Sequence, residues 1–188
     1  KGGTTGAPYS SGENNVAVGY QALTAVTTAD DNTAVGKTAL SNATTGGTNT
    51  AVGSRALFSI TTGVGNVAVG QGALDLATTQ ADFNIAIGID AVNGNWTTAD
   101  VNDVIGIGRS AVSGVLTSAT SGTIGIGYNA LTALTSGGYN IAIGYQALLT
   151  HTTGHSNIAI GYQAMDDTDA GSTSLDSDHN LAIGVDSM

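Results

Sequence analysis

Few side chains in this sequence are of a type that does chemistry. His151 and His155 flank Thr152-Thr153-Gly154. Two imidazoles in one loop suit a metal where symmetry brings copies of the loop together, although surface histidines are the ordinary reading. Asp166, Asp167, Asp169, Asp176 and Asp178 offer the hard oxygens that calcium takes. Their spacing is not that of an EF-hand, because Gly171 falls where a ligand should stand and Asp178 replaces the closing glutamate. A solvated turn is the simpler reading. Gly106-Ile107-Gly108 and Gly125-Ile126-Gly127 imitate a dinucleotide fingerprint but have no helix pattern after them and no βαβ context. No Ser/His/Asp arrangement stands out, and there is no cysteine for thiol or disulfide chemistry. The sequence predicts a protein that is not an enzyme, with no cofactor and no metal.

Recognition has better candidates. Trp96 is the one tryptophan, in the loop Asn93-Gly94-Asn95-Trp96-Thr97-Thr98, and long insertions of a repetitive fold are where binding usually sits. Tyr20, Tyr128, Tyr145 and Tyr162 share one position of a repeating motif. As a row they either stack on sugar rings or pack over the neighbouring repeat. These five residues are the predicted ligand-binding set.

The frame that must position them is the repeat. Asn140-Ile141-Ala142-Ile143-Gly144-Tyr145-Gln146-Ala147-Leu148 returns seventeen residues later as Asn157 to Met165. Anchored on its glycine, the motif has ten copies, at Gly19, Gly36, Gly53, Gly70, Gly88, Gly108, Gly127, Gly144, Gly161 and Gly184. The spacings are 17, 17, 17, 18, 20, 19, 17, 17 and 23 residues. A unit this short cannot bury its own apolar residues, so its core must be a continuous stack of copies. Residues 1–13 carry no period and read as a lead-in segment, while 14–188 form the repeat shaft.

Within the motif, the residues one and three before the anchor are Val or Ile apart from Thr33, Thr50 and Leu181, and the residue between them is always Ala or Gly. Alternation of this kind makes a β-strand with one large and one tiny face. We expect the branched residues to form the inner face. The tiny face would serve close approach, at a subunit interface or inside a narrow roll. The anchor glycine permits a sharp bend, and the Ala-Leu pair after it closes the coil. Asparagine stands four before the anchor except at Val104 and Thr123, which predicts turn residues whose amides form ladders between coils. The polar Thr-Thr-Gly turns between copies return the chain to the next strand.

Composition agrees. Among 188 residues, 28 are glycine, one is proline and only 10% are charged, whereas 41% are hydrophobic. A chain that leans on Gly, Thr, Ala, Asn, Val and Ile favours strands over helices. The formal net charge of −10 opposes binding to nucleic acid or an anionic membrane surface. No apolar run is long enough to span a bilayer, and no membrane insertion is expected.

The motif Asn-x-Ala-Val/Ile-Gly-x-x-Ala-Leu resembles the repeats in the left-handed β-roll heads of trimeric autotransporter adhesins of the YadA type. With its Tyr-Gln-Ala-Leu segments and Thr-Thr-Gly turns, the longer unit is similar to repeat regions of bacteriophage tail fibres and related trimeric surface fibres. The likeness implies a homotrimer about a threefold axis, located on a virion or cell surface. It further implies attachment to host-surface glycan, association with other fibre or baseplate proteins, and a C-terminal chaperone segment removed after assembly. The expected fold is an all-β, elongated β-solenoid or β-roll of about ten coils. The expected role is a structural and adhesive fibre segment, most simply of a phage tail fibre. The alternatives are a bacterial trimeric surface adhesin or an extracellular filament without a ligand.

Overall fold

A computed structural model describes residues 11–77, 80–96, 100–117, 120–166 and 178–187. Each motif copy supplies one three-residue strand. In chain order these are β1 (Val16–Val18), β2 (Thr33–Val35), β3 (Thr50–Val52), β4 (Val67–Val69), β5 (Ile85–Ile87), β6 (Ile105–Ile107), β7 (Ile124–Ile126), β8 (Ile141–Ile143), β9 (Ile158–Ile160) and β10 (Leu181–Ile183). They form one ten-stranded parallel sheet in sequence order, each strand paired only with its neighbours in the chain. The register is column on column: Ala34 faces Ala17 and Ala51, and Ile141 faces Ile124 and Ile158. The chain is thus a β-solenoid with about 17 residues per coil, and no α-helix occurs among the described residues. Residues 1–10 of the expected lead-in segment and most of the aspartate-rich loop, 167–177, lie outside the described residues.

Left-handed backbone makes the corners. The anchor glycines have φ between 129° and 145°, a region closed to other residues. A Cβ at Gly53 would also collide with the carbonyl oxygen of Gly70 in the coil above. Two and four residues beyond the anchor, the chain is left-handed again, as at Gln146 (φ 55°) and Leu148 (φ 52°). That conformation costs a residue with a side chain about 1–2 kcal/mol. Leu23, Leu40, Leu57, Leu74, Leu131 and Leu148 bear it while almost wholly buried, and full burial of a leucine contributes about 1.5–3 kcal/mol. Burial wins, so the corner holds.

The two strand faces are the reverse of the sequence expectation. The small column faces inward: Ala34, Ala51, Ala68, Ala86, Ala142 and Ala159 have no solvent exposure. The branched residues face outward, half-buried at best, and several are over a third exposed. The reason is width. The strand lies directly against the Ala-Leu corner of its own stack, leaving room on the inside for a methyl group and no more. At Gly106 even a methyl is too large, because it would overlap Val92 Cγ2 and come within 3.1 Å of the Ala111 carbonyl oxygen.

This contact explains the two glycines in the small column. A leucine or methionine at the corner of one coil is followed by alanine in the next strand, as for Leu74 and Ala86 or Met165 and Ala182. Where the corner residue is Val92 or Val112, the next strand carries Gly106 or Gly125, and a Cβ at Gly125 would overlap Val112 Cγ2. A β-branched side chain carries its bulk close to the backbone, and the strand above yields by losing its methyl.

The third side of the coil is filled by one residue per turn: Val26, Ala43, Ile60, Ala77, Trp96, Leu116, Leu134 and His151, all nearly or fully buried. Size alternates along the first five of these, with Ala43 between Val26 and Ile60 and Ala77 between Ile60 and Trp96, so those layers interdigitate.

Two hydrogen-bond ladders hold the turns. The buried Asn66 donates its backbone N–H and its Nδ2 to Asn49 Oδ1, at 2.9 and 3.0 Å, and donates Nδ2 again to the Ala81 carbonyl at 2.6 Å. The same pattern joins Asn15 to Asn32, Asn66 to Asn84, Asn140 to Asn157 and Asn157 to Asn180. Amide ladders were expected from the sequence. The second ladder was not. Six residues before the anchor, a side-chain acceptor takes the backbone N–H of the coil below. Asp30 takes that of Glu13 at 2.7 Å, Asp82 that of Val64 at 2.8 Å, Asn102 that of Asp82 at 2.9 Å and His155 Nδ1 that of Gly138 at 3.0 Å.

The valine–glycine rule predicts that Gly106→Ala costs about 1–3 kcal/mol by overpacking. Adding Val92→Leu should return most of that loss in a urea or thermal denaturation experiment. A double variant no better than Gly106→Ala alone would show that the two positions are not coupled.

Candidate binding surfaces

Trp96 does not reach solvent. It is fully buried and its backbone pairs in parallel with Ala77, so it is a core side chain and not a ligand contact. The 20-residue spacing of this coil concealed its register. One extra residue, Gly94, lies between the corner and the inward position, and its backbone stacks closely on Gly114 in the next coil. His151 is likewise no surface histidine. It fills the same core row, buried, with Nε2 3.1 Å from the Gly154 carbonyl oxygen and 3.3 Å from Asn157 Nδ2. Its partner in the expected pair, His155, is exposed and faces the other way in the ladder, accepting from Gly138.

The tyrosines are at the surface, where the bend after the anchor glycine directs them. Tyr20, Tyr145 and Tyr162 are exposed and Tyr128 is partly covered. Because the coils are in register, equal positions fall one above another. Tyr128 stacks on Tyr145 with centroids 5.2 Å apart, and Tyr145 on Tyr162 at 5.1 Å with planes only 5° apart. The Arg109 guanidinium caps the row, 4.4 Å from the Tyr128 centroid, a cation–π geometry. The middle ring therefore has both faces covered by its neighbours and offers solvent its edge and hydroxyl group. Beside it, Gln163 Nε2 donates to Gln146 Oε1 at 3.4 Å. Tyr20 stands apart from this stack, six coils before Tyr128.

A second pair of aromatics escaped the sequence reading. Phe83 and Tyr139 are among the most exposed side chains and both have left-handed backbone, at φ 58° and 61°. Each ring lies over a glycine in the coil below. A Cβ on Gly65 would come within 2.7 Å of Phe83 Cδ1, and one on Gly122 within 2.9 Å of Tyr139 Cδ1. The sequence signal was present, since a glycine precedes each aromatic by one period, but it lies outside the strand motif.

The largest feature is the outward face of the sheet. Val16, Val18, Val52, Val69, Ile87, Ile143, Leu181 and Ile183 are each at least 36% exposed. Across all ten strands the two outward columns contain no charged residue and only two polar ones, Thr33 and Thr50. Nine strand spacings make this stripe ~43 Å long, and it is ~7 Å wide, roughly 300 Å² in projection. That is the size at which an apolar patch on a soluble chain begins to mark an interaction site. The tyrosine row borders it.

Arg55 donates Nε and Nη2 to Asp75 at 2.7 and 3.1 Å and lies 4.5 Å from the Phe58 centroid. The hydrogen bond to Asp75 and its negative charge raise the Arg55 pKa above the usual value. Among the described residues no group of His, Asp and Glu is arranged to hold a metal ion. No helix there is long and apolar enough to cross a membrane. Comparison with protein-family models, curated proteins and solved structures returned no match.

Burial of Trp96 has a direct optical test. Its fluorescence should be blue-shifted and unaffected by iodide in the native protein, becoming quenchable on unfolding. Trp96→Ala should cost about 3–5 kcal/mol. Native-state quenching by iodide would contradict the placement.

Proposed function

We propose that the chain is a segment of a homotrimeric fibre. Three copies lie parallel, their apolar stripes turned to a common axis. One observation supports this above others: a continuous, uncharged stripe of Val and Ile runs the full length of the sheet on its outer side. A coil of this size has already used its alanines and leucines for its own core, so the branched residues contribute nothing further until another surface covers them. A second copy has the same strand-to-strand repeat and can match the stripe coil for coil. The outward charge, with a formal −10 per chain, keeps such an assembly soluble and away from nucleic acid. With the resemblance to tail-fibre and adhesin-head repeats, this supports a virion or cell-surface fibre that carries attachment to a host-surface glycan, alongside other fibre or baseplate proteins.

A shaft that binds no ligand is the second reading, and one observation favours it. Both faces of Tyr145 are covered by Tyr128 and Tyr162, which removes the flat surface a sugar ring would use at the middle of the row. Recognition then belongs to other parts of the fibre.

Sedimentation or native mass measurement tests the assembly. We expect three times the 18.4 kDa of the single chain. Ile87→Asp with Ile143→Asp should give monomers that keep the β-sheet circular dichroism of the parent. A parent that is monomeric at micromolar concentration would refute the fibre, and a dimer would refute the threefold axis. In the trimer, binding on a glycan array that Tyr145→Ala and Tyr162→Ala reduce would favour the adhesive reading. Silence on the array would favour the bare shaft.

A further inference from the structure

Five irregularities of the solenoid coincide in the same stretch. The asparagine ladder runs unbroken from Asn15 to Asn84 and from Asn140 to Asn180, but Val104 and Thr123 interrupt it in the coils of β6 and β7. Asn84 Oδ1 still accepts the Val104 N–H at 2.9 Å, and Val104 has no side-chain acceptor to pass on. The Thr123 hydroxyl is buried with no hydrogen-bond partner. In the same coils the inward methyl is missing, at Gly106 and Gly125. The corners beneath them are Val92 and Val112, β-branched residues with left-handed backbone at φ 49° and 51°, the least tolerant type for that conformation. Finally, both of these corners carry the extra residue that places Gly94 over Gly114.

Three of these features weaken the stack by different routes: a lost buried hydrogen bond, an unsatisfied hydroxyl and a strained corner. In a solenoid, stability is close to a sum over neighbouring coils, so weaknesses gathered in one place lower the local cost of opening there. We propose that the coils of β6 and β7 are a built-in opening point, which divides the shaft into two stiffer blocks, β1 to β5 and β8 to β10. The sheet hydrogen bonds continue through the seam, with Ile105 N–H on the Thr123 carbonyl and Ile124 N–H on the Asn140 carbonyl. The seam is therefore closed in the resting structure and opens first under heat, denaturant or pulling force. The proposal holds for a single chain as for an assembly, and does not depend on a ligand.

Native-state hydrogen exchange on the intact chain, read by mass spectrometry, tests it. Amides of Ile105–Ile107 and Ile124–Ile126 should exchange roughly 5- to 30-fold faster than those of Thr50–Val52 and Ile141–Ile143, the factor expected for one or two interactions of ordinary strength. Val104→Asn with Thr123→Asn completes the ladder and should slow exchange in both strands. Asn66→Val, a residue the column already accommodates at Val104, should create a second fast region at β4. Equal protection along the shaft would overturn the proposal. So would exchange that falls only from the ends, or an Asn66→Val variant without local effect.

Discussion

One close approach governs this molecule: the backbone of each anchor glycine from Gly19 to Gly161 lies against the carbonyl of the next, with no space for a Cβ between them. It fixes the position where every strand stops, and hence the common strand length and the common register. The bend it makes sends the chain into the Ala-Leu corner, which carries the leucine under the strand and fills the coil. Once the coil is this narrow, the small column has to be alanine, and the branched residues can only go outside. The exposed apolar stripe and the aligned tyrosines follow from the same restriction. So does the core row in which Trp96 and His151 are buried.

Much of this was legible before any coordinates. The glycine bend, the asparagine ladder and the parallel stacking could be read from column composition because each rests on a local requirement that few residue types meet. The direction of the strand faces could not. Alternation between large and small residues shows that two faces differ, but which is inside depends on the distance to the opposite wall, and that distance is set by the corner. Trp96 was missed for a related reason. Its coil has one residue more than the preceding one between corner and core, so counting from the anchor placed the ring in a loop. The column of Asp30, Asp82, Asn102 and His155 was readable in principle, as a row of acceptors six before the anchor. Its members share hydrogen-bonding capacity and not shape or charge.

The surfaces show how a repetitive fold multiplies a side chain's effect. A residue at any column meets its own kind above and below at about 4.8 Å. For asparagine this turns a turn-forming amide into a chain of hydrogen bonds. For tyrosine it covers both ring faces of Tyr145 in the middle of a stack. For aspartate it would set like charges side by side, but Gly47 and Val64 stand between Asp30 and Asp82 in their column, and each carboxylate accepts a backbone N–H from the coil beneath.

The valine–glycine contact bears on how such a shaft changes length over generations. Duplication or loss of one repeat by misaligned recombination would be almost neutral among coils with leucine corners and alanine strands, which are interchangeable. A break between Val92 and Gly106, or between Val112 and Gly125, would instead join a valine corner to an alanine strand or leave a void under a glycine. The heritable unit there extends from the corner of one coil to the strand of the next, and frames of exchange that cut it would be purged. The number of coils can drift freely in the regular blocks, while the variant coils are passed on together.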